Sequence, residues 1–220
     1  MLRKVASLLS LLLTISFTAF ADSGKVEAIG AFTDQSASES LRKTLEPKGY
    51  RVTAADGSVV CEVWFRTGVP AAGKSEAPGA VYTGLAESAL VGVINYPKAT
   101  NDFRGQAIKA GTYTLRYALH PTDGNHMGIS PIRDFLVMIP VSADQDPDAK
   151  YKFEELTKMS AKVSGTNHPA VASLATLDNV VIAPALVENE HGHLILAARL
   201  KTQSGADMPL AIIVKGRAEQ

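Results

Sequence analysis

Five histidines, one cysteine and one tryptophan hold much of the chemistry open to this 220-residue chain. His191 and His193 stand two apart, so in a strand both imidazoles would project to one side, as paired zinc or copper ligands do. A competing reading places His191-Gly192 at the tip of a hairpin and removes that shared face. His120, His126 and Met127 form a looser group, in which imidazole and thioether ligands would suit Cu(I). A solvated loop histidine competes with each of these readings, because histidine spacing alone has little specificity. Two known metal patterns fail outright. A cupin-like site needs a Glu soon after the H-x-H pair, whereas His193 runs into Leu194-Ile195-Leu196-Ala197. A blue-copper site needs a His and a Met near its Cys, and Cys61 is followed by Glu62-Val63-Trp64.

Cys61 alternates with Val59, Val63 and Phe65, which places the thiol on an apolar face as an inert small hydrophobe. As the sole cysteine it has no internal disulfide partner. Trp64 falls on the opposite face with Val60, Glu62 and Arg66, where a ring flanked by charges could serve as a platform for a sugar or a partner side chain. Burial beneath a loop or helix is the alternative. Arg116 and His120, on the polar face of a later strand, complete the ligand-binding candidates Trp64, Arg66, Arg116 and His120. Arg104 and Arg133-Asp134 bracket that strand as surface ion pairs or as a polar recognition point.

Enzymatic motifs are missing: no G-x-S-x-G elbow, H-E-x-x-H helix or phosphate-cradling G-x-x-x-x-G-K-[ST] occurs. Carboxylates at Asp144, Asp146, Glu154 and Glu155 precede or open a predicted helix, where they complement the positive end of its dipole.

The elements that must position these groups are mostly short strands. Period-two or apolar runs predict strands at 26–32, 50–54, 59–67, 90–96, 112–120, 134–141, 179–188, 193–201 and 210–215. Turn-like links at 189–192 and 203–207 make the last three a meander. Tyr113, Leu115, Tyr117 and Leu119 share one face of their strand, with Thr112, Thr114, Arg116, Ala118 and His120 on the other, so one face is expected in the core and one in water. Phe135-Leu136-Val137-Met138-Ile139 is apolar on both faces and predicts a central strand. Helices are predicted at 38–46, stopping towards Gly49, and at 147–163, with Asp146 as cap, Pro147 in the first turn and Gly165 as terminator. Residues 68–80 and 121–131 read as loops.

In Ala110-Gly111-Thr112-Tyr113-Thr114-Leu115 a glycine permits a turn and a tyrosine just inside the strand can return its hydroxyl to nearby backbone. The segment resembles the G-x-Y-x-L strand entry of extracellular β-sandwich modules and is similar to a Gly-Thr-Tyr-Thr-Leu segment of uncharacterised exported bacterial proteins. The resemblance is local and implies a sandwich fold, with no site residues.

Arg3 and Lys4, the apolar run to Phe20 and Ala19-Phe20-Ala21 predict a secretion signal over 1–21, cleaved before Asp22, with residues 22–220 as a single sandwich domain. Cleavage would leave no stable membrane insertion and a periplasmic or extracellular product. Basic and acidic residues number 22 each, scattered without a basic stripe, which argues against nucleic-acid partners. The expectation is a mainly β protein, an antiparallel sandwich of jelly-roll or Ig-like type with one or two short helices. It would act as a noncatalytic binding or envelope-associated module, with an envelope protein or glycan as partner. Periplasmic handling of Cu or Zn is the alternative, and an enzyme with a site of scattered residues the third.

Overall fold

Strands with one strictly apolar face need a second layer to cover it, and here two antiparallel sheets meet face to face. The computed structural model describes residues 24–72, 77–122, 130–177 and 182–218. The predicted cleavage site, His126 and Met127 lie outside the described residues, as do 179–181 of the predicted 179–188 strand. In chain order the elements are β1 (Lys25–Ile29), α1 (Glu39–Thr44), β2 (Gly49–Thr53), β3 (Val59–Phe65), β4 (Leu90–Tyr96), β5 (Thr100–Asn101), β6 (Ala107–Ile108), β7 (Gly111–Leu119), β8 (Asp134–Pro140), α2 (Phe153–Ser164), β9 (Val171–Ser173), β10 (Ala185–Glu188), β11 (Leu194–Lys201) and β12 (Asp207–Lys215).

The larger sheet runs β1-β2-β3-β4-β7-β8-β9, the smaller one is the meander β10-β11-β12, and β5-β6 forms a small ladder of its own. Cys61, Val63, Phe65, Leu115, Leu136 and Met138 of the larger sheet pack against Leu196, Ala198, Leu200, Leu210 and Ile212 of the smaller one. A bridge between Leu174 and Ile212, with Ala175 N–H donating to Ala211 O at 3.0 Å, joins the sheets along one flank. Among the described residues no helix is long and apolar enough to cross a membrane.

The outer face of the larger sheet is also covered, which corrects the expectation that one side of β7 faces water. Thr114 and Arg116 are fully buried, with Ala118 and His120 nearly so. Two apolar clusters lie on this side. One gathers Leu41 and Leu45 with Trp64, Leu90 and Phe32; the other packs Leu156 of α2 on Phe135, Val137 and Ile139 of β8. Covered on both faces, β8 is an interior strand, as its apolar run predicts, though it stands next to the edge strand β9 rather than at the centre.

Both helices form, with different limits. Ser38 caps α1, its hydroxyl accepting from Leu41 N–H at 3.0 Å. The helix ends at Leu45 rather than near Gly49, which instead opens β2. The second helix starts at Phe153, not Pro147, with Glu155 accepting from Lys152 N–H at 2.8 Å. Asp146 and Pro147 cannot begin it, because the carbonyls of Asp146, Pro147 and Ala149 accept from arginine side chains instead. Residues 144–151 thus form a non-helical strap across the outer face, with a turn at 147–148. Tyr113 folds back as its position suggests, its hydroxyl donating to Lys109 O at 2.8 Å.

Trp64 is 7% exposed. Its indole N–H donates to Gly30 O at 2.9 Å, and Phe32 meets the ring edge-on with centroids 5.1 Å apart. Gly49 lies directly against it: a Cβ there would sit 2.6 Å from Trp64 Cδ1. With the ring held on two sides, Gly49→Ala is expected to cost about 1–3 kcal/mol, the usual range for overpacking, in chemical denaturation followed by emission of this single tryptophan. Cys61 is fully buried, and burial, followed by the neighbouring Glu62 charge, pushes its thiol far above the ordinary cysteine range. Thiol reagents should leave the native protein untouched and label it only after unfolding.

Candidate functional site

Two arrangements hold the polar residues, and they differ in purpose. The first is a buried clasp around Arg116. Its guanidinium sits on β7 and meets Asp144 side-on, with Nε 2.7 Å from Oδ2 and Nη2 2.8 Å from Oδ1. Nη1 donates to Ser88 O and Ala149 O at 2.9 and 2.8 Å, and Nη2 also to Asp146 O at 2.6 Å. All five guanidinium donors are thereby used. Thr114 donates its hydroxyl to Asp144 at 2.6 Å, and the Tyr151 ring lies 4.9 Å from the guanidinium carbon. Arg66, just beyond the end of β3, binds the same strap through Pro147 O and Asp148. Ser88 takes up φ +65, which lets its carbonyl reach Arg116 while its hydroxyl accepts from Tyr151 N–H at 2.9 Å. Non-glycine residues rarely adopt that conformation without compensation.

The clasp corrects the grouping of Trp64, Arg66, Arg116 and His120 as an exposed ligand face. The structure brings Arg66 and Arg116 together, but as anchors of the strap. Trp64 is packed under the α1 segment, and His120 stacks on Phe135 with ring centroids 4.1 Å apart. Arg104 pairs with Asp102, and Arg133 donates to the carbonyls of His120 and Pro78. Asp134 accepts from Val81 N–H, Tyr82 N–H and the Tyr117 hydroxyl, at 2.8, 2.8 and 2.6 Å. Burial, then this hydrogen bond to Asp134, raises the Tyr117 phenol strongly. Thr114 beside Asp144 pairs a hydroxyl with a base, but both are sealed from solvent and cannot meet a substrate.

The second arrangement is a cleft on the outer side of the smaller sheet. Val187, Ile195 and Ile213 stand in register across β10, β11 and β12 and floor a hollow of about 530 Å³. Pro131, Ile132 and Leu177 form apolar walls, and Asn189, Glu190 and His191 form the rim. A second hollow of about 280 Å³, bounded by Phe103, Ser130, His193 and Ala218, shares Pro131, Asn189 and His191 with the first. The 189–193 turn therefore stands between the two.

That turn leaves the two histidine rings neighbours, with centroids 5.7 Å apart, but does not aim them together as a ligand pair. His191 is exposed at the hairpin tip, its Nε2 3.5 Å from Glu190, while His193 is 6% exposed. Both His193 ring nitrogens have partners, Asn189 Nδ2 at 3.1 Å and Arg217 O at 3.0 Å, so neither faces outward as a ligand. Among the described residues no three His, Cys, Asp or Glu side chains converge as metal ligands.

The roles of Asp144 and Asn189 escape a sequence reading, since partners 28 residues away or a side chain closing its own turn leave no motif. The Val187–Ile195–Ile213 row was foreseeable from the meander and its pleat.

Removing one partner of the clasp strands a buried charge, so Asp144→Ala should destabilise the fold by about 3–5 kcal/mol in equilibrium denaturation. Ser88→Gly keeps the backbone conformation and loses the hydroxyl that holds Tyr151 N–H, at a cost of about 1 kcal/mol. Comparisons with protein-family models, with curated proteins and with solved structures found no match to this chain.

Proposed function

We propose that this chain is an exported, noncatalytic, envelope-associated binding module that takes an apolar group into the cleft on its smaller sheet. The observation that carries this reading is the row Val187, Ile195 and Ile213, which presents an apolar floor beneath a cleft of about 530 Å³. Ligand sites are typically concave and apolar with a few placed polar groups, and here His191, Glu190 and Asn189 stand at the rim. The buried ionic groups favour binding over catalysis, because Arg116, Asp144 and Asp134 are engaged in holding loops. The basic n-region, apolar run and Ala19-Phe20-Ala21 support export. An apolar moiety fits this site better than a glycan, since the aromatic platform a sugar would need is covered at Trp64.

Nile red, a neutral apolar dye, should bind the purified protein at a single site. Val187→Arg places a charge on the cleft floor and should weaken that binding by about tenfold or more, equivalent to roughly 1.4 kcal/mol, with Trp64 emission unchanged. Dye binding insensitive to Val187→Arg would place the ligand elsewhere and end this reading.

A further inference from the structure

His193 can keep both of its contacts only while it is uncharged. The Arg217 carbonyl, 3.0 Å from Nε2, can only accept, so Nε2 carries a proton. Asn189 Nδ2, 3.1 Å from Nδ1, can only donate, so Nδ1 is the bare acceptor. A proton added at Nδ1 would set two donors against each other. Turning the Asn189 amide over does not relieve this, because its Oδ1 already accepts from the backbone N–H of His191 at 3.1 Å and of His193 at 2.9 Å. Reversal would oppose Nδ2 to both.

Nor can the ring swing aside within this packing. Phe103 meets it edge-on at 5.1 Å. On the other side the backbone of Gly216 comes so close that a Cβ there would lie 2.8 Å from His193 Cγ. Among the described residues, the elements packed around the ring carry charged and titratable groups of both signs, and the His191 ring lies 5.7 Å from it. Glu188, Glu190 and His191 belong to the hairpin, Lys215 and Arg217 to the end of β12 and the tail beyond it, and the paired Asp102 and Arg104 to the turn that carries Phe103. Its two hydrogen-bond partners, a donor at Nδ1 and an acceptor at Nε2, match the neutral ring.

Resting on the reading of the cleft as a ligand site, we infer that protonation of His193 opens the 189–193 turn and releases the bound apolar ligand. The proton is taken up at Nδ1 by the electron pair that had accepted from Asn189, and the Asn189 contact is lost. Asn189 and His191 line both hollows, so the walls of the cleft move with the turn.

Two measurements test this. In the ligand-free protein, nuclear magnetic resonance should show His193 as the Nε2–H tautomer at about pH 8. As the pH is lowered from about 8, the amide signals of His191 and His193 should shift together with protonation of the His193 ring. Over the same range Nile red affinity should fall about tenfold, as expected for losing one or two hydrogen bonds. His193→Gln keeps a donor for Arg217 without a titrating ring and should bind dye independently of pH; His191→Gln should retain the dependence. A dependence that survives His193→Gln, or disappears in His191→Gln, overturns the switch. So do turn amides indifferent to ring protonation, a result that needs neither a variant nor a dye. A turn that titrates in a protein that never binds dye assigns the failure to the cleft reading instead.

Discussion

One buried ion pair, Arg116 with Asp144, decides how the outer face of the larger sheet is built. A guanidinium taken out of water is tolerated only when its charge is met and its donors are satisfied. Here the acid supplies the charge and two acceptors, while the carbonyls of Ser88, Asp146 and Ala149 supply the rest. Those carbonyls belong to two separate loops, so satisfying one side chain fixes both. The strap is then held over β7, α2 begins where the strap ends, and Leu156 reaches β8. Such a pair adds little net stability compared with an apolar substitute of the same shape. Its effect is on which conformation the loops adopt.

The smaller sheet solves the same problem with neutral groups. Asn189 closes its own turn by accepting from two backbone donors and giving one hydrogen to His193, which passes the constraint to the tail at Arg217. The clasp is sealed beneath the strap, whereas this turn stands beside open space. One polar network stabilises a face that nothing enters, and the other borders a cleft that something can.

Local pattern made the sheets legible. Alternation in β3 and β7 assigns the inward residues, the doubly apolar β8 is interior, and the two links of the meander are hairpins. The short pieces β5, β6 and β9 escaped, since two or three residues cannot display a period. The error at α2 is more instructive. Asp146 and Pro147 are good helix openers by local rules, but Arg66 and Arg116, far away in sequence, take the carbonyls that a first turn would need. Whether Trp64 and the polar face of β7 meet water is illegible for a related reason: alternation says which residues share a face, never whether a third layer will cover it. For the candidate site, the apolar row followed from strand register. The partners of His193 did not, because nothing near it in sequence announces Arg217.

The order β1-β2-β3-β4-β7-β8-β9 has a consequence for how the molecule comes into being. Every strand after the first pairs with the one before it in the same sheet, and only the β5-β6 ladder is passed over. Pairing each strand with its predecessor keeps the closures shorter than any other order of these strands would, although long connections precede β4 and β9. A chain that emerges N-terminus first, from a ribosome or through a membrane pore, can lay down this sheet strand by strand without holding an edge open for a distant partner. The two features that need late-arriving sequence, the strap on one face and the meander on the other, come after β8, when the surface they cover already exists.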